Sequence, residues 1–435
     1  MRTLALLLVS LACATLAACS TSSAGSGDAG ASDSSSSETG SDAEPDSSAD
    51  ADAAADSTSD SPADSAAAAD ADAASATDAA ADADAAADAA ADSDAAADAS
   101  LPVYPDAGAD CGIGDSGEPL DLACTGLYSD WSTKTVAPGN QPYQPGYVLW
   151  SDGAIKSRWI ALPAGTQIDT SSMDDWTFPV DTRIWKEFSL VLPDAGAPTR
   201  IETRLLWKQA PGTWYRTTYR WSADGQTSAT ELRSGEMNAA GTTYEVPSAF
   251  ECDECHNGRP DGVLGFEAVA LSAASASGLT MSQLVAQNLV TTPPEGGSLV
   301  VPGDPIAQAA LGWLHINCGV ACHNDVGGLA SNTAFLMRLK AAELGSVQTT
   351  DTYTTGWNQL TQAFQIPDAA ATYRFHACDL ATSGAYYRAD NRDNVNGIPQ
   401  GVQMPPLVSH AVDDADMATL AAWINEGCGD AGAGD

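Results

Sequence analysis

The sequence is short of positive charge. Of 435 residues only 18 are Lys or Arg, against 58 Asp or Glu, and the formal net charge is -40. A chain this acidic repels phosphate backbones and anionic bilayer surfaces, which argues against both as partners and excludes nucleic acid. Histidine is also scarce, at five residues. No Ser-His-Asp order, no H-E-x-x-H segment and no phosphate-binding glycine loop occurs; Gly296-Gly297 and Gly327-Gly328 read as simple loop signals. Residues 20–100 lack Lys, Arg, aromatics, Leu and Ile altogether and consist almost only of Ala, Ser, Asp, Gly and Thr. Such a segment has too little apolar surface to offset ordering entropy. Residues 19–100 therefore read as a disordered, self-repelling tether, and its 20 acidic residues hold about half of the net charge.

Ahead of the tether, Arg2 is followed by an apolar run from Leu4 to Leu11 and then by Leu16-Ala17-Ala18-Cys19. A charged start, a short greasy core and small residues before a cut site make residues 1–18 a secretory signal rather than a membrane span. The compartment beyond is oxidising, so thiols there should be paired or occupied. Setting aside Cys13, Cys19 and two Cys-His clusters leaves Cys111, Cys124, Cys378 and Cys428. Four cysteines allow three pairings; proximity in sequence favours Cys111–Cys124, and Cys378–Cys428 would then staple the C-terminal region.

The remainder holds all eleven Trp and eleven Tyr, enough for substantial cores, and its length suggests two domains. Between about 125 and 250 the signals are those of short strands: Tyr147-Val148-Leu149-Trp150 before the turn Ser151-Asp152-Gly153, Ile201 to Leu205, and Thr213 to Trp221 before Asp224-Gly225. Punctuated by Gly, Pro and Asp, they predict a β-sandwich-like domain over 101–250. After 265 the period changes. Asp304-Pro305 is a helix start, and Ile306, Ala310, Trp313 and Leu314 follow at helical spacing. Met417, Leu420, Ala421 and Ile424 mark a closing amphipathic helix capped by Asp413 or Asp414. The fold class expected is α+β multidomain: the sandwich, a linking segment over 251–300, and a mostly α-helical domain over 301–435.

Two clusters carry chemistry. Cys252-Asp253-Glu254-Cys255-His256 has the C-x-x-C-H spacing of covalent haem c attachment: two thiols reach the two vinyl groups of one haem, and the next residue presents an imidazole to the iron. A Cys252–Cys255 disulfide and a zinc site are the alternatives. No leading helix is expected, since Val246-Pro247-Ser248 reads as extended. Cys318-Gly319-Val320-Ala321-Cys322-His323 has one residue too many for the standard motif, but a capped helix leads into it. Downstream, Gln403-Met404-Pro405-Pro406-Leu407 cannot be helical, because proline removes a donor and fixes φ. Met404 there can offer a thioether to a metal opposite His323; the alternative is core packing. Candidates for the position opposite His256 are Met281 and His315. Arg388 and Arg392 are possible partners for haem propionates, as is Arg338, with solvated surface arginine as the alternative.

The helix, the Cys-Cys-His cluster, the methionine loop and the closing helix with Leu420, Trp423 and Ile424 resemble class I cytochrome c modules. Over about 125–428 the chain resembles a family of poorly characterised secreted bacterial proteins described as di-haem c-type cytochromes. The matching stretches are Leu149 to Ala154 with Lys156 and Arg158, Trp176-Thr177-Phe178-Pro179, Glu202 to Leu206, Cys252 to His256, Leu264-Gly265-Phe266, and Leu314 to His323; the longer second cluster is the departure. The resemblance implies a cytochrome c-like C-terminal domain, two haems c with their iron, and exported electron transfer to a partner protein that it does not identify. The segment ending at Cys19 resembles the lipobox of bacterial lipoproteins. That implies lipidation at Cys19 and, with Ser20 following, anchoring in outer-membrane lipid. Two other readings stand beside electron transfer: a di-haem peroxidase-like enzyme, and a non-redox surface binding lipoprotein whose cysteines form disulfides.

Overall fold

The computed structural model describes residues 111–193 and 195–428. The secretory signal, Cys19 and the tether lie outside the described residues.

Among the described residues nine strands form: β1 (Tyr128–Asp130), β2 (Thr135–Val136), β3 (Gln141–Gln144), β4 (Ile155–Ala161), β5 (Arg183–Leu190), β6 (Thr199–Ala210), β7 (Thr213–Trp221), β8 (Ala229–Glu231) and β9 (Ser277–Gly278). β1 and β2 make a two-stranded ribbon; the other seven make one antiparallel sheet in the order β8-β7-β6-β5-β4-β3-β9. The expected sandwich does not form: among the described residues the other sheet is the short β1-β2 ribbon, which covers only part of one face. Alternation in the strands reports that both faces are covered, not what covers them. On one face Trp185, Leu205, Tyr219 and Trp221 pack under Leu122, Leu127 and Tyr128. On the other, Ile160, Ile184, Leu206 and Trp214 pack under Phe266, Leu271, Met281 and Leu284, from loops and short helices. Each such side chain contributes about 1.5–3 kcal/mol by leaving water.

The helices are α1 (Ala249–His256), α2 (Ala268–Ser272), α3 (Met281–Ala286), α4 (Pro305–Leu314), α5 (Asp351–Gly356), α6 (Gly384–Ala389) and α7 (Asp414–Glu426). The two that the sequence predicts most clearly form with the expected caps. Asp304 accepts from the amides of Ile306 and Ala307, and Asp413 from that of Asp416. Yet the C-terminal half is not a mostly α-helical domain. Its helices are short and joined by 3-10 turns and irregular chain, because Asp390 to Ser409 is crowded with Asn, Asp, Gly and Pro, which favour turns. α4 and α7 pack together over Leu311, Leu314, Leu420 and Ile424, with Phe335, Trp357, Phe375 and Trp423. Both favoured disulfides, Cys111–Cys124 and Cys378–Cys428, are present.

Tyr147 to Trp150, expected as a strand, lies in the irregular connection from β3 to β4, with Tyr147 against Gly312 of α4. Asn317 takes the Trp150 amide at 2.7 Å and donates to the Val148 carbonyl, so these backbone groups bond a side chain instead of a neighbouring strand. The Trp150 indole donates to the Ala411 carbonyl, and Asp152 accepts from the amides of His410 and Ala411.

Candidate cofactor site

The first cluster lies on α1. Ser248, at the end of the extended chain expected over 246–248, caps it in a reciprocal box with Glu251, so the motif sits on a short helix of its own. Cys252 and Cys255, three apart, share one helical face. His256 ends the helix half-buried, and its Nδ1 lies 2.6 Å from the Gly262 carbonyl. A carbonyl only accepts, so Nδ1 carries the proton and Nε2 keeps its lone pair. Burial first, then Arg216, pushes the His256 pKa down to about 3, so the ring stays neutral. Gly262 is placed by its neighbour Asp261. That carboxylate takes Lys208 Nζ at 2.6 Å, the Trp214 indole at 3.0 Å and the Phe178 amide at 2.7 Å.

The second cluster shows how the extra residue is absorbed. α4 widens into a π turn over His315–Gly319. The amide of Val320 bonds the His315 carbonyl and that of His323 bonds the Cys318 carbonyl, both five residues back. A π turn holds one residue more than an α turn, so the longer motif still stacks Cys318 and Cys322 on one side. His323 repeats the arrangement of His256: Nδ1 faces the Phe335 carbonyl at 2.9 Å, and burial lowers its pKa. Arg374 fixes that loop by donating to the carbonyls of Thr333, Ala334 and Thr355. Among the described residues, no protein group hydrogen-bonds Nε2 of either histidine.

Beside His323 opens a cavity of about 480 Å³, within the span of about 300–1,000 Å³ usual for cofactor and ligand sites. Cys318, Cys322 and His323 line it, and so do Met404, Arg388 and Arg392. Residues from one end of the domain and from a distant loop thus meet around one apolar space. The methionine loop is held firmly. Asp393 accepts the amides of Val402 and Gln403, the Met404 amide bonds the Arg388 carbonyl, and the Gln403 side chain bridges Pro405 and Ser409. Arg388 donates to the Val402 and Gly401 carbonyls, and Arg392 to those of Ala389, Asn391 and Ala411. Both arginines therefore brace the cavity wall while keeping their charge beside it. The indole nitrogen of Trp313 and Nε of Arg392 are buried there without a protein partner.

Other expectations move. Met281 is fully buried in the core beneath the sheet. His315 is buried, its Nδ1 accepts from the Leu339 amide, and its Nε2 lies 3.3 Å from the Glu267 carboxylate without a hydrogen bond to it. Neither is free to sit opposite His256. Arg338 is tied to Asp175 at 2.9 Å. Cys252, Cys255, Cys318 and Cys322 are free thiols, not disulfides. Burial raises the pKa of each; Cys318, aided by Cys322, and Cys322, aided by Cys255, are pushed up to about 12. A nucleophilic or exchanging thiol needs the opposite shift. Among the described residues no three His, Cys, Asp or Glu side chains gather as a bare metal ion would require. Sequence reasoning missed the carbonyls of Gly262 and Phe335, which leave no mark in side-chain identity, and the aromatic wall given by Trp150.

The residues thus fit a flat, apolar group with a thiol-reactive edge and a metal at its centre: paired thiols, a neutral imidazole with an open lone pair, a thioether and unpartnered donors. No family model matches the chain, and neither a curated protein nor a solved structure is similar to it.

Proposed function

We propose that this chain is an exported c-type cytochrome that carries one or two covalent haems and passes electrons to a partner protein, tethered through a lipid at Cys19 to the outer membrane. The observation that carries the reading is the single cavity lined by Cys318, Cys322, His323 and Met404. Haem bound there would supply a one-electron iron couple. Cys318 and Cys322 would hold it through thioethers, and His323 Nε2 and the Met404 thioether would be the side chains available to its metal. Phe335, through its carbonyl, keeps the imidazole in the ligating tautomer. Arg388, Arg392 and Trp313 offer donors to its carboxylates. Cys252, Cys255 and His256 repeat the same functional groups and would hold a second haem.

A haem stain on a denaturing gel of the exported protein tests this, because only thioether-linked haem survives denaturation. Mass spectrometry then counts the porphyrins. One porphyrin fewer by mass and weaker staining in the Cys318→Ser/Cys322→Ser variant, with the Cys252 pair intact, assigns a haem to the second cluster; a mature chain with no added porphyrin mass rejects the reading.

One observation favours a di-haem peroxidase-like enzyme as the second reading: Met281 and His315 are both engaged away from His256, so no expected side chain closes the far side of that site. A high-spin ferric signal from the first haem together with peroxide turnover would select it; two low-spin haems would select electron transfer.

A further inference from the structure

The face of the sheet beneath α1 carries a row of cations that folding alone does not explain. Arg158 on β4 pairs with Lys186 on β5, Lys186 with Arg204 on β6, and Arg204 with Thr218 on β7, each directly across from the next. Like charges directly opposite one another on a sheet are destabilising, and this chain has few cations to place. Lys156 adds another on the same face of β4. Of the three paired cations Arg204 alone is compensated locally: the fully buried Glu202 carboxylate takes its Nε at 2.9 Å and its Nη2 at 2.6 Å, and also the Tyr244 hydroxyl at 2.5 Å. The Phe188 ring faces Arg204 at 4.2 Å, Lys186 at 5.2 Å and Lys156 at 5.9 Å, contacts weaker than a paired carboxylate.

Arg158 is 2% exposed, and its Nε and Nη2 have no partner; one Nη1 contact to the Gln144 side chain is all it makes. The Thr218 hydroxyl is buried and unpartnered as well. Lys186 has no hydrogen bond and no ion pair among the described residues, and the acid that acts on it, Glu202, is already paired with Arg204. A buried guanidinium with two idle donors costs several kcal/mol unless an acceptor arrives. Lys186 and Arg204 remain part-exposed, and both act electrostatically on Cys255 and His256 of α1. The row therefore borders the first Cys-His cluster.

We propose that Arg158, Lys186 and Arg204, with Thr218, form an internal oxyanion-binding site whose ligand is the carboxylates of the group attached at Cys252, Cys255 and His256. The choice of ligand rests on the haem reading; the anion site itself does not, since a free oxyanion such as phosphate would answer the same donors.

The test uses the full exported chain and its Lys186→Gln and Arg158→Gln variants, with Lys186→Met as a second uncharged replacement. Mass spectrometry first reports whether Cys252 and Cys255 carry porphyrin. If they do, removing a cation beside the carboxylates should lower the potential of that haem alone. At a fixed ambient potential its oxidised-to-reduced ratio should rise about tenfold, about 59 mV for one electron, while the haem on Cys318 and Cys322 is unmoved. A merely structural role would lower the melting temperature and leave the midpoint in place, and that result overturns the proposal. If the cysteines carry no porphyrin, the haem reading of the first cluster fails but the anion site is still testable. Inorganic phosphate should then raise the melting temperature of the wild type and not of Lys186→Gln; no phosphate effect overturns it.

Discussion

A Cβ added to Gly258 would lie 2.1 Å from the carbonyl oxygen of Ala321, so the chain leaving the first Cys-His cluster presses directly on the backbone inside the second. The obstacle is backbone, not a flexible side chain. Gly258→Ala must therefore push the two clusters apart and should cost about 1–3 kcal/mol, read as a lower urea midpoint with an unchanged slope. Gly345→Ala, where nothing lies within 4 Å, is the matched control and should be neutral or slightly stabilising. Equal midpoints for the two variants would show that the approach is not tight.

Behind His256 stands the buried pair of Lys208 and Asp261, 2.6 Å apart, with side chains 1% and 5% exposed. Lys208→Met leaves the Asp261 carboxylate buried with the Trp214 indole and the Phe178 amide as its remaining donors. Breaking one partner of a buried pair costs about 3–5 kcal/mol. The loss should be partly recovered in Lys208→Met/Asp261→Asn, which removes the stranded charge. If the double variant is no better than the single, the damage lies in packing and not in the uncompensated carboxylate.

The contrast between what was legible in the sequence and what was not has a physical pattern. α4 and α7 could be read because their caps and apolar periods are local. Met404 could be read as a loop residue because Pro405 and Pro406 forbid helix. Cys318, Cys322 and His323 stood out by type and spacing, though the π turn that accommodates the extra residue is held from later in the chain, by the Leu339 amide on His315 and the backbone of Met337 and Arg338 against Gly319. The sandwich was a misreading of Ile201 to Leu205 and Thr213 to Trp221. Their alternation requires two covered faces, and here Leu122, Phe266 and Met281 supply the cover from outside any second sheet. Tyr147 to Trp150 has strand composition, yet Asn317 captures its backbone groups. The cationic row needed register: Lys156 and Arg158 alternate visibly on β4, but nothing local says that Lys186 and Arg204 lie across from Arg158.

That row makes stability depend on pH. Burial first, then Arg158 and Arg204, pushes the Lys156 pKa down to about 7, against the pull of Asp413 and Asp152. The unfolded chain holds that proton up to about pH 10.5, its ordinary value. Between these limits the unfolded state binds more protons than the folded one, so the stability of the folded state rises with pH. Below about pH 7 both states are protonated and the dependence on this group vanishes. Thermal melts of haem-free protein between pH 7 and about 8, below the ordinary thiol range where the four buried cysteines with raised pKa values begin to pull stability the other way, should show the rise, and Lys156→Met should flatten it. A slope unchanged in Lys156→Met would assign the effect to Lys186, whose pKa burial also lowers.

Met404 and Asp393 separate ligation from loop support. Asp393 holds the loop through the amides of Val402 and Gln403 without lining the cavity, whereas Met404 lines it. In the haem-loaded protein, Met404→Ala should keep haem on the gel, because the thioether links are on Cys318 and Cys322, and should change the reduced spectrum. It should also lower the potential of that haem, raising its oxidised-to-reduced ratio at fixed potential by at least about tenfold, since a thioether opposite an imidazole favours the reduced iron. Asp393→Ala should cost about 1–3 kcal/mol of stability through its stranded amides, yet retain the wild-type spectrum at low temperature, where the loop stays folded, and lose it on mild warming before the global transition. A Met404→Ala protein with the wild-type spectrum and potential would return Met404 to a packing role. The cavity would then need another group opposite His323.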